Sequence, residues 1–305
     1  WVGPVTDAEA ERRVKAEYAG RLENKASYDS LFPGVHLKYE APAGFVVRAS
    51  HSNGIGRPDF GSIMPNSTVN FAAQTITFSN PALKPQYSEN FDVSVEYYFE
   101  PVGLVSIGAF QKEITDFIFQ DRSRFVGSGA NNGFNGEYEG YNLITSANGG
   151  FARYRGLELS FQQQFTFLPG IWRGFGLNAN YTYLETRGDY GGAAVSTQVA
   201  GFKPRTANVA ISYRGSKLNV VAQWNWVGRW LVSNSTNAAL LRYEKPRTQV
   251  DLKTRYTLSR RLSLFCDVEN ILAEPLNENY LAYEDRAGQT RLTAPKIVAG
   301  LQGRF

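Results

Sequence analysis

The stretch Tyr87–Phe119, YSENFDVSVEYYFEPVGLVSIGAFQKEITDFIF, decides the fold because it contains two alternating runs joined by one turn. In the first run an apolar residue stands at every second position, and only Glu89 interrupts that row. Side chains of a strand point alternately to opposite faces, so the run predicts a strand with one apolar and one polar face. Glu100-Pro101-Val102-Gly103 predicts a tight turn. Both runs exceed the five or six residues usual in strands of soluble proteins, and they suit tilted strands that cross a bilayer.

The bulk composition leaves a membrane protein possible only if it crosses the membrane with strands. The chain has 305 residues, of which 43% are hydrophobic, and its mean hydropathy is −0.33. No run of about 20 apolar residues is present, so the sequence predicts no membrane-spanning helix. A β-barrel needs apolar residues only at alternate positions. The net charge of +4 comes from scattered Lys and Arg residues, which gives little support to nucleic-acid binding.

The first part of the chain differs from the rest. Asp7–Glu17 is rich in helix formers, with opposite charges three and four residues apart, and predicts a short solvated helix inside a loop that comprises residues 1–30. The chain begins at Trp1 and not at methionine, which we interpret as a fragment or a processed product. Cys266 is the single cysteine, so no internal disulfide is predicted.

The alternating pattern recurs from Gly34 to the end of the chain and predicts about eleven strands with no helix between them. The predicted strands are 34–40, 45–50, 87–99, 105–119, 153–167, 175–183, 203–214, 218–226, 250–258, 262–268 and 297–305. Their connections alternate between short turns and long loops, and the long loops are 54–85, 120–150, 188–202, 233–245 and 272–289. Short turns on one rim and long loops on the other are the arrangement of outer-membrane barrels.

Alternation alone is compatible with both a soluble β-sandwich and a membrane barrel, because both have one apolar face. Long strands, asymmetric connections and aromatic residues near strand ends, such as Tyr97, Tyr183 and Trp226, favour the membrane. A soluble protein would have to bury all these apolar faces against a second set of elements, which the sequence does not offer. The predicted fold is therefore all-β, an antiparallel up-and-down transmembrane β-barrel, present here as a partial barrel of about eleven strands.

Several short segments carry a resemblance to a known family. They are GIGRPDF at 54–60, NPALKPQYSEN at 80–90, GLELS at 156–160, KPR at 203–205, DVENIL at 267–272 and the terminal Phe305. The second of them resembles the NPxLKPE segment that introduces a barrel strand in that family. In this order and spacing the segments cover nearly the whole chain from about Ser30. The sequence resembles the C-terminal half of a TonB-dependent outer-membrane receptor.

The resemblance implies a 22-stranded barrel closed by an N-terminal plug, of which residues 31–305 form the last half. It implies long loops outside the cell, short turns in the periplasm, and Phe305 as the signal that the barrel-assembly machinery recognises. We find no plug pattern, TonB box or first barrel half, so these missing parts are expected partners. The other expected partners are outer-membrane lipid and the TonB-ExbB-ExbD system. An open half-sheet leaves two unpaired edges, so the chain alone is not expected to transport.

No catalytic constellation is found, and the protein is predicted to be no enzyme and to hold no cofactor. His36 and His51 have no second His or Cys at ligand spacing, so no metal site is predicted. Gly54-Ile55-Gly56 precedes no helix and is not a phosphate-binding loop. Carboxylates on the polar face are expected to be solvated, or paired with Lys253 or Arg255.

The predicted activity is ligand capture by the long loops and the upper wall of the lumen. Aromatic side chains can stack on sugars or enclose an apolar ligand, and arginine can clamp a carboxylate or a phosphate. Any one of these residues could instead only pack a loop or lie at the membrane interface. The ligand-binding candidates are Arg57, Asp59, Arg122, Arg124, Tyr138, Tyr141, Tyr190, Trp230, Tyr243 and Tyr283.

Three functional hypotheses remain open at this stage. The first is a receptor in the cell outer membrane for TonB-energised uptake of a scarce ligand, such as a siderophore, cobalamin or an oligosaccharide. The second is a passive outer-membrane channel or an adhesin, against which the odd strand number and the series of motifs argue. The third is a soluble carbohydrate-binding β protein. Loops rich in Asn, Gly and Tyr favour sugars and the basic charge favours anionic siderophores, so the ligand stays open.

Overall fold

The computed structural model describes Ala8 and residues 27–303. Its strands are, in chain order, β1 (Gly34–Ala41), β2 (Phe45–Gly56), β3 (Ser67–Asn70), β4 (Thr75–Phe78), β5 (Gln86–Phe99), β6 (Gly103–Thr115), β7 (Ile118–Phe125), β8 (Asn142–Asn148), β9 (Phe151–Gln164), β10 (Phe175–Gly188), β11 (Arg205–Arg214), β12 (Leu218–Val227), β13 (Trp230–Ser233), β14 (Arg242–Glu244), β15 (Arg247–Ser259), β16 (Leu262–Glu269), β17 (Asn277–Leu281), β18 (Ala287–Arg291) and β19 (Lys296–Gly303). Within residues 27–303, helical structure is limited to short pieces: the one-turn α-helix Phe60–Ile63 and the 3₁₀ turns Pro42–Gly44, Gly170–Gly174 and Ala238–Leu240.

Eleven of these strands form one antiparallel sheet, which we call the wall. Its order is β1-β2-β5-β6-β9-β10-β11-β12-β15-β16-β19, so strands that follow one another along the wall also follow one another along the chain. Tight turns join them at the short-turn rim, and longer segments join them at the long-loop rim. The prediction of an up-and-down sheet of about eleven strands is confirmed. Because β1 and β19 do not pair in the described residues, the wall is a partial, unclosed barrel.

The wall has an apolar face and a polar face, as alternation predicts. Val93 lies opposite Ala49 on β2 and Ala109 on β6, which places all three on the apolar face. Large side chains on this face are exposed, including Phe91 at 43% and Leu264 at 42%. In the described residues no helix is long and apolar enough to span a membrane.

The buried apolar residues of the described chain lie at the long-loop rim and not behind the wall. They are Ile76, Leu83, Phe117, Val126, Ile144, Ala152, Tyr190, Val199, Leu231 and Tyr280. The apolar face therefore has no protein layer packed on it. A continuous apolar surface of this extent is unstable in water but suits contact with lipid chains, which is how barrel strands are stabilised.

Ion pairs near the long-loop rim explain why Glu89 interrupts the apolar row. His51 Nε2 lies 2.9 Å from Glu89 Oε1, and the His51 ring lies 4.8 Å from the Phe91 ring. On the same face Arg153 Nε lies 2.9 Å from Glu113 Oε1. Charged residues on the outward face are costly inside lipid. These pairs therefore mark where the apolar band ends.

Four of the five segments predicted only as loops contain strands, which corrects the sequence-based assignment. They form two small sheets, β3-β4-β8-β7 and β13-β14-β17-β18. Each sheet joins two separate loops, and β4 pairs with β8 in parallel. These loop strands are short and pair with strands of a different loop, so the sequence of each loop shows no extended alternation that would predict them. The predicted strand 105–119 is also wrong at its end, because β6 stops at Thr115 and Asp116 has a φ of 52°.

The remaining loop, 189–204, connects the two small sheets. Gly150 donates its N–H to the Asp189 carbonyl at 3.2 Å, which ties this loop to the preceding one. Val195 donates to the Ser235 carbonyl at 2.8 Å, which ties it to the following one. The long loops thus form one hydrogen-bonded layer above the wall, which we call the loop layer.

The DVENIL motif anchors the last loop to the wall. Asn270 has a φ of 56° and is buried, and its side chain bonds both the N–H and the carbonyl of Glu274. The Asn270 N–H donates to Asp251 Oδ1 at 2.8 Å. Asp251 also accepts from Gln249 Nε2 at 2.9 Å, and these bonds replace the predicted pairing with Lys253 or Arg255. The motif is therefore a turn that positions a loop.

Gly156, the first residue of the GLELS motif, has to be glycine because neighbouring atoms of the wall leave no room for a Cβ atom. A Cβ at this position would lie 2.2 Å from the Tyr183 carbonyl oxygen and 2.7 Å from the Phe110 ring. Gly156→Ala is expected to destabilise the protein by about 2 kcal/mol or more, because a backbone atom must move to make room. Urea titration followed by tryptophan fluorescence measures this.

Gly108→Ala is the matched control for that variant. Gly108 stands on the same face, but its Cβ would meet atoms only at 3.8 Å and beyond. We expect the urea concentration at the midpoint of unfolding of Gly108→Ala to stay near that of the parent protein. Equal midpoints for the two variants would refute the role given to Gly156.

Two sequence-based assignments lie largely outside the described residues. The predicted helix in 7–17 belongs to a segment of which only Ala8 is described, so the assignment of residues 1–30 as a loop stays a prediction. Phe305, the predicted assembly signal, also lies outside the described residues.

Candidate functional site

A large cavity lies where the polar face of the wall meets the loop layer, and we call it the lumen cavity. Its volume is about 920 Å³. The wall contributes polar-face residues of β5, β6, β9 and β10, and the loops at 116–150, 189–204 and 228–246 close it from above. Its aromatic lining consists of Phe110, Phe117, Phe119, Tyr154, Tyr190 and Phe202.

The charged lining of the lumen cavity contains both signs: Asp92, Lys112, Arg122 and Glu158. The Arg122 guanidinium donates only to Gln120 Oε1, at 2.6 and 2.9 Å. Neither Arg122 nor Lys112 forms an ion pair with a carboxylate in the part of the chain that the structure describes. Both side chains are exposed. Two cations next to aromatic surface can bind an anionic ligand that has apolar faces.

A small apolar cluster, which we call the loop core, fixes the loops that close the lumen cavity. It consists of Phe117, Ala152, Tyr190 and Val199, all buried. The Tyr190 ring packs edge-on against Phe117 at 5.3 Å between centroids. Its hydroxyl donates to the Gln198 carbonyl at 3.0 Å. The loop core therefore holds loop 189–204 against the beginning of β9.

Burial raises the pKa of the Tyr190 hydroxyl, since the phenolate would lose water contact; hydrogen bonds to Asn234 and Ala200 act in the opposite direction. Because folding raises the pKa of this hydroxyl, its protonated form stabilises the folded loop. That stabilisation is fully present below the pKa of the unfolded state and is lost as the pH rises through the pKa of the folded state. We expect the loop core to open above about pH 10, the ordinary pKa of tyrosine. Hydrogen exchange of loop amides as a function of pH measures this opening. Tyr190→Phe should remove this part of the alkaline loss; an unchanged pH slope would contradict it.

A second cavity of about 450 Å³, the rim notch, lies beside the upper ends of β10, β11 and β12. It contains Trp230 and Tyr243, two of the predicted ligand-binding residues. Tyr243 stacks on the Tyr280 ring at 5.7 Å. Lys203 lies over the Trp230 ring at 5.4 Å. Arg122 and Tyr190 line the lumen cavity, so the structure divides these four predicted residues between two cavities.

Arg57 contacts the segment that precedes β1, and Asp59 has contacts within its own loop. The Arg57 guanidinium lies 5.7 Å from the centroid of the Tyr28 ring. Asp59 precedes the helix Phe60–Ile63 and accepts from the Ser62 N–H at 2.9 Å and from its hydroxyl at 2.7 Å. These hydrogen bonds lower the pKa of the Asp59 carboxyl. Asp59 thus caps a helix, which is the ordinary role of aspartate at that position.

Arg124, Tyr138, Tyr141 and Tyr283 line neither cavity. Arg124 lies over the Phe78 ring at 5.6 Å. Tyr138 packs on Tyr141 at 5.4 Å between centroids, within an aromatic group on the loop layer. Tyr283 is 71% exposed. Their roles as ligand contacts stay predictions.

Residue-level reasoning missed most of the lumen-cavity lining that lies on the wall. Lys112 falls on the polar-face parity of β6, and Tyr154 on that of β9. Their positions near the long-loop rim could have been recognised by counting along the strands. Phe202 gives no such signal, because it stands in a loop without regular pairing. No group of three or more His, Cys, Asp or Glu side chains suited to a metal ion occurs among the described residues.

Comparison with known families identifies the chain. The model of the family described as TonB dependent receptor-like, beta-barrel, matches residues 9–271. This chain belongs to that family. No curated protein sequence matches the chain.

Solved structures with the same fold include siderophore receptors and a copper transporter. The ferric enterobactin receptor of Pseudomonas aeruginosa aligns with a TM-score of 0.65 and 17% identity over 90% of this chain. The siderophore receptor PirA of Acinetobacter baumannii aligns with a TM-score of 0.62 and 15% identity over 90% of it. The copper transporter OprC aligns with a TM-score of 0.55 and 15% identity. At these identities the likeness concerns the fold.

The chain spans 40% of the length of the ferric enterobactin receptor and 41% of that of PirA.

Proposed function

We propose that this chain is part of a receptor that imports a ferric siderophore across the cell outer membrane with energy supplied through TonB. The observation that carries the proposal is the lumen cavity, in a chain of the TonB-dependent receptor family. The ferric enterobactin receptor and PirA, which share the fold, support the choice of ligand class.

The lining of the lumen cavity suits a metal chelate better than a bare ion or a sugar. Its aromatic surface can pack against the planar rings of a chelating ligand. Lys112 and Arg122 can meet the negative charge that such chelates carry. The cavity volume of about 920 Å³ lies within the range of small-molecule sites.

The proposed setting is consistent with the fold. The long-loop rim faces the cell exterior, with residues 1–30 as a further extracellular loop, and residues 31–305 form the C-terminal half of the barrel. The expected partners are the plug and the first barrel half, outer-membrane lipid, the TonB-ExbB-ExbD system and the barrel-assembly machinery. Unpaired strand edges at β1 and β19 require such a complement in lipid.

Deletion of the gene, followed by uptake of iron-labelled siderophores, tests this proposal. We expect uptake of at least one ferric siderophore to fall to background, and to fall equally when TonB is absent. Uptake that persists without TonB would indicate a passive channel. Unchanged siderophore uptake with impaired use of cobalamin or an oligosaccharide would overturn the ligand class.

A further inference from the structure

The rim notch lies on the apolar, outward side of the wall, unlike the lumen cavity. Tyr183 on β10 pairs with Arg205 on β11, and both stand on the parity of the apolar face. Trp226 pairs with Ala207, which pairs with Tyr181 on the same face. Tyr183, Arg205 and Trp226 line the floor of the notch at the upper border of the apolar band.

Three cations lie at this aromatic floor: Arg205 and Arg229 line the notch, and Lys203 lies over the Trp230 ring. All three are exposed, and none forms an ion pair with a carboxylate within the described residues. The carboxylate that lines the notch, Glu185, already accepts three bonds from Arg155, at 2.9, 3.0 and 3.2 Å. Glu284 acts electrostatically on Arg229, so the three cations of the notch outnumber the carboxylates that face them.

Each of these exposed cations lies over an aromatic ring. The distances to the ring centroids are 5.9 Å for Arg205 over Tyr183, 5.4 Å for Lys203 over Trp230 and 5.1 Å for Arg229 over Tyr243. Arg229 also donates to the Tyr280 hydroxyl at 3.4 Å. Such contacts fix a guanidinium or ammonium group before a ligand arrives, which lowers the entropy cost of binding.

We propose that the rim notch binds the phosphate-bearing head group of an outer-leaflet lipid. Guanidinium and ammonium groups bind phosphate through charge-assisted hydrogen bonds. The acyl chains would extend from the notch along the apolar band, where Trp224 is exposed on the same face. Basic pockets beside apolar surface at the membrane interface are typical lipid head-group sites. The proposal rests on the membrane setting of the proposed function.

Only a thin partition separates the bound lipid from the lumen cavity. Leu184, Val199 and Phe202 line both cavities. A head group in the rim notch therefore packs against the outer side of the partition whose inner side lines the lumen cavity. Val199 belongs to the loop core, so lipid occupancy is expected to protect loop 189–204 from hydrogen exchange.

The test uses the whole protein that the gene encodes, purified in neutral detergent, and two probes. The first probe is phosphatidylglycerol in mixed micelles, with phosphatidylcholine as the uncharged comparison, and the second is inorganic phosphate. Native mass spectrometry counts bound lipid, and quenching by the brominated lipid reports contact with tryptophan. The test variant is K203Q/R205Q/R229Q. The control K38Q/K253Q/R255Q removes the same charge from the polar face of the wall.

We expect the parent and the control to bind phosphatidylglycerol equally, and the test variant to bind about tenfold more weakly or worse. Inorganic phosphate at millimolar concentration should not displace the lipid. Equal binding by all three proteins would overturn the proposal. Displacement by inorganic phosphate would show a site for soluble anions and would also overturn it. Either result leaves siderophore uptake unaffected, so failure here is distinct from failure of the proposed function.

Discussion

Under the proposed function, replacing Lys112 and Arg122 together by glutamine is expected to weaken binding of the proposed ferric siderophore about a hundredfold or more. Both cations line the lumen cavity and have no carboxylate partner in the described residues. A hydrogen bond to a charged group contributes about 1.5–3 kcal/mol. About 1.4 kcal/mol is a factor of ten in affinity, so two such losses give the expected factor.

The measurement is the concentration dependence of siderophore uptake by cells that carry K112Q/R122Q. Assembly should be unchanged, because both side chains are exposed and neither belongs to the loop core. K253Q/R255Q is the matched control, since it removes the same charge at positions that line neither cavity. An equal effect of both variants would show that net charge, and not the lumen cavity, governs uptake.

Truncation of Phe117 is expected to have the largest effect on the loop layer. Phe117 is 3% exposed and contacts Phe119 and Tyr190 through ring distances of 5.5 and 5.3 Å. Phe→Ala in a packed core costs about 3–5 kcal/mol. In Phe117→Ala we expect that cost to appear as opening of loops 116–150 and 189–204, while the wall stays intact.

Hydrogen exchange measures this effect at the amides of Gly149 and Gly150, which donate to the Phe117 and Asp189 carbonyls. We expect the hydrogen-exchange protection of these amides to fall about a hundredfold or more. The stability of the closed loops in the parent protein sets the upper limit of this loss. Amides in β5 and β9 should not change. Phe71→Ala is the control, because Phe71 is 67% exposed. Equal protection in Phe117→Ala and Phe71→Ala would refute the loop core as the support of the loop layer.

The wall could be predicted from sequence because its face pattern is local. Along β5, apolar and polar residues alternate according to the face on which each side chain lies. One hairpin is therefore sufficient to define the alternating pattern of the other strands. Glu89 was an exception to that pattern, and its reason lies across the sheet in His51, 38 residues earlier in the chain. The small loop sheets could not be predicted, because the partner of β4 is β8 in a different loop, where Thr75 pairs with Asn142.

The candidate site was predicted less well than the fold for the same reason. The sequence predicts Arg122 and Tyr190 as ligand-binding residues because of their chemistry and their place in long loops, and both line the lumen cavity. It predicts Asp59 for the same reason, yet Asp59 caps a one-turn helix. Which loop side chain turns toward the lumen depends on contacts between loops, such as the Val195–Ser235 hydrogen bond. No period in the sequence encodes such contacts.

The central claim is that the apolar face of the wall contacts lipid. Spin labels at Val93, Leu159 and Leu264, one at a time in a Cys266→Ala background, test it in lipid vesicles. The account predicts high accessibility of these labels to molecular oxygen and low accessibility to a water-soluble nickel chelate, with the reverse for a label at Asn180 on the polar face. Labels at the first three positions that are inaccessible to both reagents would show a dry protein interior and would contradict it.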